Sequence, residues 1–487
     1  MKHQIVLSTW LLVVLAATAR SAPLENSALS DTLDALIDGH PTFWRTAVCL
    51  KVVDLQSGTV LYDRHGKRLL TPASNLKIYT SACALDVFGP EHRFTTRVKF
   101  VGTIEIDTLR GDLVLIGGGD AMLTYQDLAK LAVRVNQQRD VRRVEGHVRV
   151  DNTRYGTPLK GPGWMWDDDP DYYNMPVTPL MLDFNVLTLK LTQESDGLLS
   201  AKLIPETNYP AFRTVEPKRL PGKRLFWRAP FTDPILLAKR GNLKEFMEKL
   251  EEDEEPRLTM NDPGRWVAGV FKVMLEKNGV EFVEKTISRP QSESAEVPIE
   301  FDGRPLDEIL KHFNRESENA VGEVLLHEIA IARGISRPEW SDGAKAISDW
   351  LVDEVGLEAD SFRLVDGSGL SRYNLISAES SVMLLKWMRD HKHFPVFRAA
   401  LTEYEVELKK IAWPSIPAEG FDANRVWAKS GGMTGVSTIS GYLRTLDGRM
   451  LAFSLLANGF IGSYEPVKDL RQQVWQTLVQ YRREDRH

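Results

Sequence analysis

Cysteine is almost missing from this chain: Cys49 and Cys83 are the only two among 487 residues. Two thiols cannot build the multi-bridge framework that holds small secreted domains together, so the fold must rest on hydrophobic cores. Cys49 sits in a strand-like run and Cys83 in a helical one, which reads both as core residues and leaves a single bridge between them open. An excess of one charge is missing too. Lys and Arg total 61 against 67 Asp and Glu, a net charge of −6, so composition offers no nucleic-acid partner. The short basic stretch with Lys218, Arg219, Lys223 and Arg224 is interrupted by prolines and reads as a solvated face. Beyond the first twenty or so residues, no apolar run is long enough to span a bilayer. Metal motifs also fail. His327-Glu328 opens like a zinc-binding helix, but position 331 holds Ile331 where a second His is needed. Gly117-Gly118-Gly119-Asp120 has no following Lys-Ser/Thr, so it is a glycine turn and not a phosphate loop. No metal and no cofactor is expected.

The N-terminus has the three parts of a secretory signal. Lys2 supplies positive charge, Ile5 to Ala17 an apolar core, and Ala17-Thr18-Ala19 or Ala19-Arg20-Ser21 small residues for cleavage. Residues 1–21 are therefore expected to be removed on export. The rest is too long for one compact core, which predicts two or three domains. Ser30 to Ile37 reads as a helix, Ala47 to Val53 and Thr59 to Tyr62 as a hairpin, and the segment after Pro72 as a helix stopped by Gly89-Pro90. From about Arg93 to Pro298 short alternating strands dominate, with an amphipathic helix at Pro263 to Asn278 and an acidic tip at Glu251 to Glu255. Helices return at Leu306 to Phe313, Asn319 to Ala332 and Ala344 to Val355. Strands return at Val426 to Lys429, Thr438 to Arg444 and Met450 to Leu456, the last two joined at Asp447-Gly448, a hairpin turn signal. Asp469 to Tyr481 reads as a closing helix. N- and C-terminal strands completing one sheet around a large insertion is the simplest architecture.

Within this frame one stretch carries chemistry. In Pro72-Ala73-Ser74-Asn75-Leu76-Lys77, Ser74 and Lys77 are three apart and share a helical face. An amine so placed can take the proton of a hydroxyl nucleophile when desolvation lowers its own affinity for protons. By itself S-x-x-K is weak, since a capped helix with a surface lysine has the same letters. Two further segments support it. Ser317-Glu318-Asn319 opens a helix, where the hydroxyl can relay a proton and the amide can hold a substrate peptide group. Lys429-Ser430-Gly431-Gly432 lies on a strand, where lysine and hydroxyl can bind a carboxylate. Its glycines admit a close backbone and leave an N–H free for an oxyanion. Each of the patterns S-x-x-K, S-x-N and K-[S/T]-G occurs once, in that order.

This set of motifs resembles the penicillin-recognising serine enzymes. Ser317 follows Ser74 by 243 residues, and so long an insertion resembles the D-alanyl-D-alanine carboxypeptidase/endopeptidases of the penicillin-binding protein 4 type. Val365 to Arg372, Ile439 to Tyr442, Gly111 to Asp120 and Val150 to Tyr155 are similar to that family as well. Ser430 stands where Thr is commoner, and Glu318 fills the variable middle position. The resemblance implies an α+β fold: a β-lactamase/transpeptidase-like catalytic domain of residues 24–93 and 298–487, an antiparallel sheet flanked by helices plus a helical subdomain, with a β-rich insertion at 94–297. It implies Ser74 as nucleophile, Lys77 as its base, Ser317 as proton relay, and Ser74 and Gly432 N–H groups as oxyanion hole. Asn319, Lys429 and Ser430 would bind substrate, and Asp151 the ammonium of a diaminopimelic side chain. The implied partners are peptidoglycan stem peptides and β-lactam antibiotics, in the bacterial periplasm, with at most peripheral membrane association. Alternatives on the same scaffold are a β-lactamase or esterase, for which no added deacylation base is visible, and an inactive wall-binding protein, against which the intact motifs argue.

Overall fold

The structure is a computed structural model that describes residues 26–222, 224–249, 255–283, 297–406 and 424–482. The signal segment and all but the last residue of the Glu251 to Glu255 run lie outside the described residues.

A six-stranded antiparallel sheet organises the molecule. Its spatial order is Thr402–Glu405, Asn424–Met433, Val436–Arg444, Met450–Asn458, Ala47–Asp54 and Val60–Arg64. The N-terminal hairpin thus completes a sheet begun by the last strands of the chain, with Leu50 opposite Leu455 and Val52 opposite Phe453. Gly448 turns the C-terminal hairpin at φ 86°, a conformation favouring glycine. Ala47–Asp54 is apolar almost throughout because both faces of the sheet are covered. On one face, Leu29, Leu33 and Ile37 of the helix Asn26–Asp38 join Val474, Trp475 and Leu478 of the helix Glu465–Val479. On the other, the helices Lys77–Phe88 and Ala378–Asp390 pack with Cys49 and Leu456. Both cysteines are buried and unbridged.

Around Lys77–Phe88 the helices Leu306–Arg315, Asn319–Ala332 and Trp340–Trp350 form a subdomain, burying Phe313, Val324, Leu325 and Trp350 against it. Several elements differ from the sequence expectation, the helix Ala378–Asp390 among them. Pro72 does not open an α-helix: it precedes a 3-10 turn, Ala73–Leu76, and the α-helix begins at Lys77. Thr402–Glu405 escaped notice because a short, polar edge strand carries no alternating pattern.

The segment between the two parts of this sheet builds a second, mixed sheet around the hairpin Arg93–Glu105 and Thr108–Ile116. Ile299–Pro305 lies antiparallel to Arg93–Glu105, so the segment leaves beside the point where it entered. Helices Tyr125–Arg139 and Pro263–Lys277 cover this sheet, with Leu131, Val135, Trp266 and Phe271 meeting Val98, Phe100 and Leu113. The first of these helices was not foreseen. The glycine turn has a steric cause: a Cβ on Gly118 would come within 1.9 Å of the Thr95 carbonyl oxygen.

Candidate active site

The turn that carries Ser74 is held to the sheet by hydrogen bonds at Pro72 and Asn75. Asn75 Nδ2 donates to the Lys429 carbonyl at 2.6 Å, and Ser440 Oγ donates to Asn75 Oδ1 at 2.9 Å. Thr438 Oγ1 donates to the Pro72 carbonyl at 2.5 Å. Ala73, just before Ser74, is buried with φ 47°, outside the relaxed range of an L-residue. The turn is thereby locked with the Ser74 side chain half-buried at the rim of a cleft.

Lys77 is fully buried, and its ammonium has three acceptors: Ser74 Oγ at 2.9 Å, Asn319 Oδ1 at 2.8 Å and the Ser368 carbonyl at 2.9 Å. Burial pulls its pKa from 10.5 down to about 8, against the opposing pull of Glu323, Asp366 and Glu318. Lys77 and Asn319 are 242 positions apart. Ser317 is not among these partners of Lys77. It lines the cleft beside Ser74, Asn319 and Gly432, in a left-handed backbone conformation at φ 61°. The cleft holds about 520 Å³.

The third motif closes the site from the sheet. Lys429 is buried, and desolvation, then the Lys77 charge, bring its pKa down to about 7. Ser430 Oγ accepts from the Tyr404 hydroxyl at 3.3 Å. The two glycines differ. A Cβ on Gly431 would sit 2.5 Å from the Pro72 carbonyl oxygen and 2.6 Å from the Asn75 nitrogen, whereas one on Gly432 meets nothing within 4 Å. Gly431→Ala is therefore expected to push strand and nucleophile turn apart and to cost roughly 1–3 kcal/mol. Gly432→Ala should stay within about 0.5 kcal/mol of the parent. Equal denaturation midpoints for the two variants would contradict this contact.

Asp151 falls elsewhere. Its Oδ1 accepts from Thr153 N and Thr153 Oγ1 at 2.9 and 2.6 Å, so its carboxylate closes a local turn and is not among the cleft-lining residues. The inserted segment instead brings Asp167, Asp168 and Tyr172 into the cleft wall, facing a rim that includes Arg372. It also reaches the motif residues directly. Asn319 Nδ2 donates to the Tyr173 carbonyl at 3.1 Å, and Trp164 Nε1 donates to Asp366 Oδ2 at 3.1 Å. Arg154 makes a two-pronged bond to buried Glu328, at 2.7 and 2.6 Å, on the helix that begins with Asn319. His327 and Glu328 thus serve packing: His327 stacks on Tyr155, whose hydroxyl donates to Glu328 Oε1 at 2.8 Å.

Sequence reasoning missed Glu323 and the Ser368 carbonyl. A signal for Glu323 existed: it is an acid one helical turn after Asn319, in a helix made mostly of apolar residues. A backbone carbonyl has no signature in sequence.

A hydroxyl hydrogen-bonded to a buried lysine, at the foot of a helix packed on an antiparallel sheet, is the arrangement that a serine–lysine acyl-transfer enzyme requires. Over residues 29–481 the chain matches, and belongs to, the D-Ala-D-Ala carboxypeptidase 3 (S13) family. It is 28% identical over 472 residues to the D-alanyl-D-alanine carboxypeptidase of Actinomadura sp. (strain R39), covering 92% of this chain and 84% of that protein. It is 22% identical over 421 residues to D-alanyl-D-alanine carboxypeptidase DacB of Haemophilus influenzae, covering 84% of each. The crystal structure of penicillin binding protein 4 from Haemophilus influenzae superposes with a TM-score of 0.73 at 19% identity, over 92% of this chain and 99% of that one. The match establishes a shared fold.

Proposed function

We propose that this chain is a periplasmic serine D,D-carboxypeptidase and D,D-endopeptidase that trims D-Ala-D-Ala ends and cuts D-Ala–diamino acid cross-links of peptidoglycan. The observation that carries this reading is the 2.9 Å contact of a buried, desolvated Lys77 with Ser74 Oγ. Neutral Lys77 takes the Ser74 proton as Oγ attacks the carbonyl between two D-residues. The N–H groups of Ser74 and Gly432 receive the developing oxyanion. Asn319 holds the substrate amide, and Lys429 with Ser430 the terminal carboxylate. Ser317 passes a proton to the departing amine, and water then hydrolyses the acyl-enzyme. A β-lactam acylates the same oxygen. Asp167 and Asp168 offer negative charge, and Arg372 positive charge, to an amino acid side chain that carries both an ammonium and a carboxylate. Among the described residues no helix is long and apolar enough to cross a membrane; with the signal-like N-terminus this supports an exported enzyme at most peripherally attached.

The test is intact mass after brief incubation with benzylpenicillin, followed by peptide mapping. A stable adduct on Ser74 is expected. Hydrolysed penicillin without an adduct would make the chain a β-lactamase, and the absence of both adduct and hydrolysis would make it a wall-binding protein with a dead site.

The two lysines set the pH dependence. A base works deprotonated, so acylation rises as pH approaches the Lys77 value of about 8. A cation that holds an anion works protonated, so carboxylate binding falls once pH passes the Lys429 value of about 7. Loss of the Lys77 proton relieves Lys429 of repulsion, which makes neutral Lys77 with charged Lys429 the working pair. The kcat/KM for a D-Ala-D-Ala peptide is expected to be bell-shaped, with its maximum between these values. A substrate lacking the terminal carboxylate should lose only the descending limb. A profile flat across both limbs would remove Lys77 from the role of base.

A further inference from the structure

The contact that seats Lys77 from below is the Ser368 carbonyl, and the loop that presents it is gripped by a group outside all three motifs. Glu323 is fully buried. Its Oε2 accepts from Gly367 N at 2.7 Å and its Oε1 from Ser368 N at 2.9 Å, so one carboxylate clamps two successive peptide groups. Thr80 Oγ1, on the Lys77 helix, donates to the Gly367 carbonyl at 2.7 Å. Asp366 accepts from Gly369 N at 2.8 Å and so fixes the far side of the same loop. The fit is tight: a Cβ on Gly367 would meet the Gly322 carbonyl oxygen at 2.1 Å, and one on Gly369 the Ala73 carbonyl oxygen at 1.9 Å. Loop, motif helix and nucleophile turn are thus in backbone contact. Glu323 lies one helical turn beyond Asn319, so a single helix sends one side chain to Lys77 and another to the loop beneath it.

We propose, resting on the acyl-transfer reading above, that Glu323 is a positioning residue for the reaction: its carboxylate clamps the Gly367–Ser368 peptide so that the Ser368 carbonyl holds Lys77 Nζ against Ser74 Oγ, and its charge acts on that nitrogen from the same side. The charged groups around Lys77 are Glu323 and Glu318 from the second-motif helix, Asp366 from the loop and Lys429 from the strand. Among the three acids Glu323 acts most strongly on Lys77. A backbone N–H on each oxygen matches the ionised form of a carboxylate, while burial and the Asp366 charge push Glu323 upward, to about 8. The two loop N–H groups, and then the Lys77 charge, oppose that rise and favour the ionised form.

The experiment separates charge from reach. Second-order acylation by benzylpenicillin is measured against pH for the parent, Glu323→Gln and Glu323→Asp, with thermal unfolding of each. In Glu323→Gln the plateau rate is expected to fall roughly 10- to 100-fold, and the ascending limb to move about one unit toward lower pH, because the ammonium has lost its strongest neighbouring anion. In Glu323→Asp the charge stays but the side chain is one methylene short of the loop. There the rate is expected to fall at least about tenfold with the limb in place. Rate losses in both variants with neither limb moved would reduce Glu323 to a structural part and overturn the proposal. Parental rates in Glu323→Asp would overturn it equally, and this arm stands alone should Glu323→Gln fail to unfold cooperatively. A parent protein that takes no penicillin at Ser74 would instead overturn the functional reading itself.

Discussion

Ser74→Ala is expected to take up no benzylpenicillin and to lose peptidase activity by on the order of 10⁴-fold or more, as removal of a covalent nucleophile does. The fold should survive. Ser74 is half-buried, and its hydroxyl is one of three acceptors around Lys77, the others being Asn319 Oδ1 and the Ser368 carbonyl. Loss of one hydrogen bond from a charged group costs about 1.5–3 kcal/mol, and two acceptors remain. The alanine side chain is smaller than the one it replaces, so nothing is pushed aside in the turn Ala73–Leu76. The measurement is the same mass experiment, paired with a circular-dichroism melt. A residual adduct mapped to another residue, Ser317 for example, would transfer the nucleophile's role.

Lys77→Met carries the second large effect. Methionine matches the length and apolar stem of lysine, fills the same buried volume beside Phe313, and has no proton to accept at working pH. General-base assistance contributes roughly 10²–10⁴-fold, and acylation by benzylpenicillin should fall by that factor. The pH profile gives a sharper signature. In the parent the rate is expected to climb toward pH 8 as Lys77 loses its proton, and in the variant that climb should vanish. A slow variant that kept the parental ascending limb would mean that another group is the base. Lys429, which shares the site and titrates near 7, would then be the first to examine. Lysine to methionine also leaves Asn319 Oδ1 and the Ser368 carbonyl without their donor, so Asn319 is expected to loosen and the KM for peptide to rise along with the fall in kcat.

Much of this site was legible in the chain. Ser74 and Lys77 are joined by local helical geometry, and the 2.9 Å contact between them needed little more than three-residue spacing. The chemistry of the other motifs was equally readable, since only certain side chains relay protons, hold amides or bind carboxylates. Hairpins and helices with a clear period, such as Asn319–Ala332, fell where the pattern placed them. Less legible was where an acidic side chain would point. Asp151 has the charge to bind an ammonium, but Thr153, two residues on, takes its carboxylate. Asp167 and Asp168 stand in an acidic run beside Trp166, and only the path of the inserted segment puts them in the cleft wall.

By itself, then, the sequence determined the candidate reacting groups, the helix that carries Lys77, the strand-rich ends of one sheet and the presence of a long insertion. These depend on side-chain chemistry and on periodicities of two and 3.6 residues, which are local properties. Only the tertiary structure decided which carbonyl seats Lys77, which acid grips that carbonyl's loop, and how the insertion touches Asn319 and Asp366. Those contacts join backbone and side chains across separations of 44 to 291 positions. Their physical basis is burial: once water is excluded, every N–H, carbonyl and charge around Lys77 must find its partner inside the protein, wherever along the chain that partner lies.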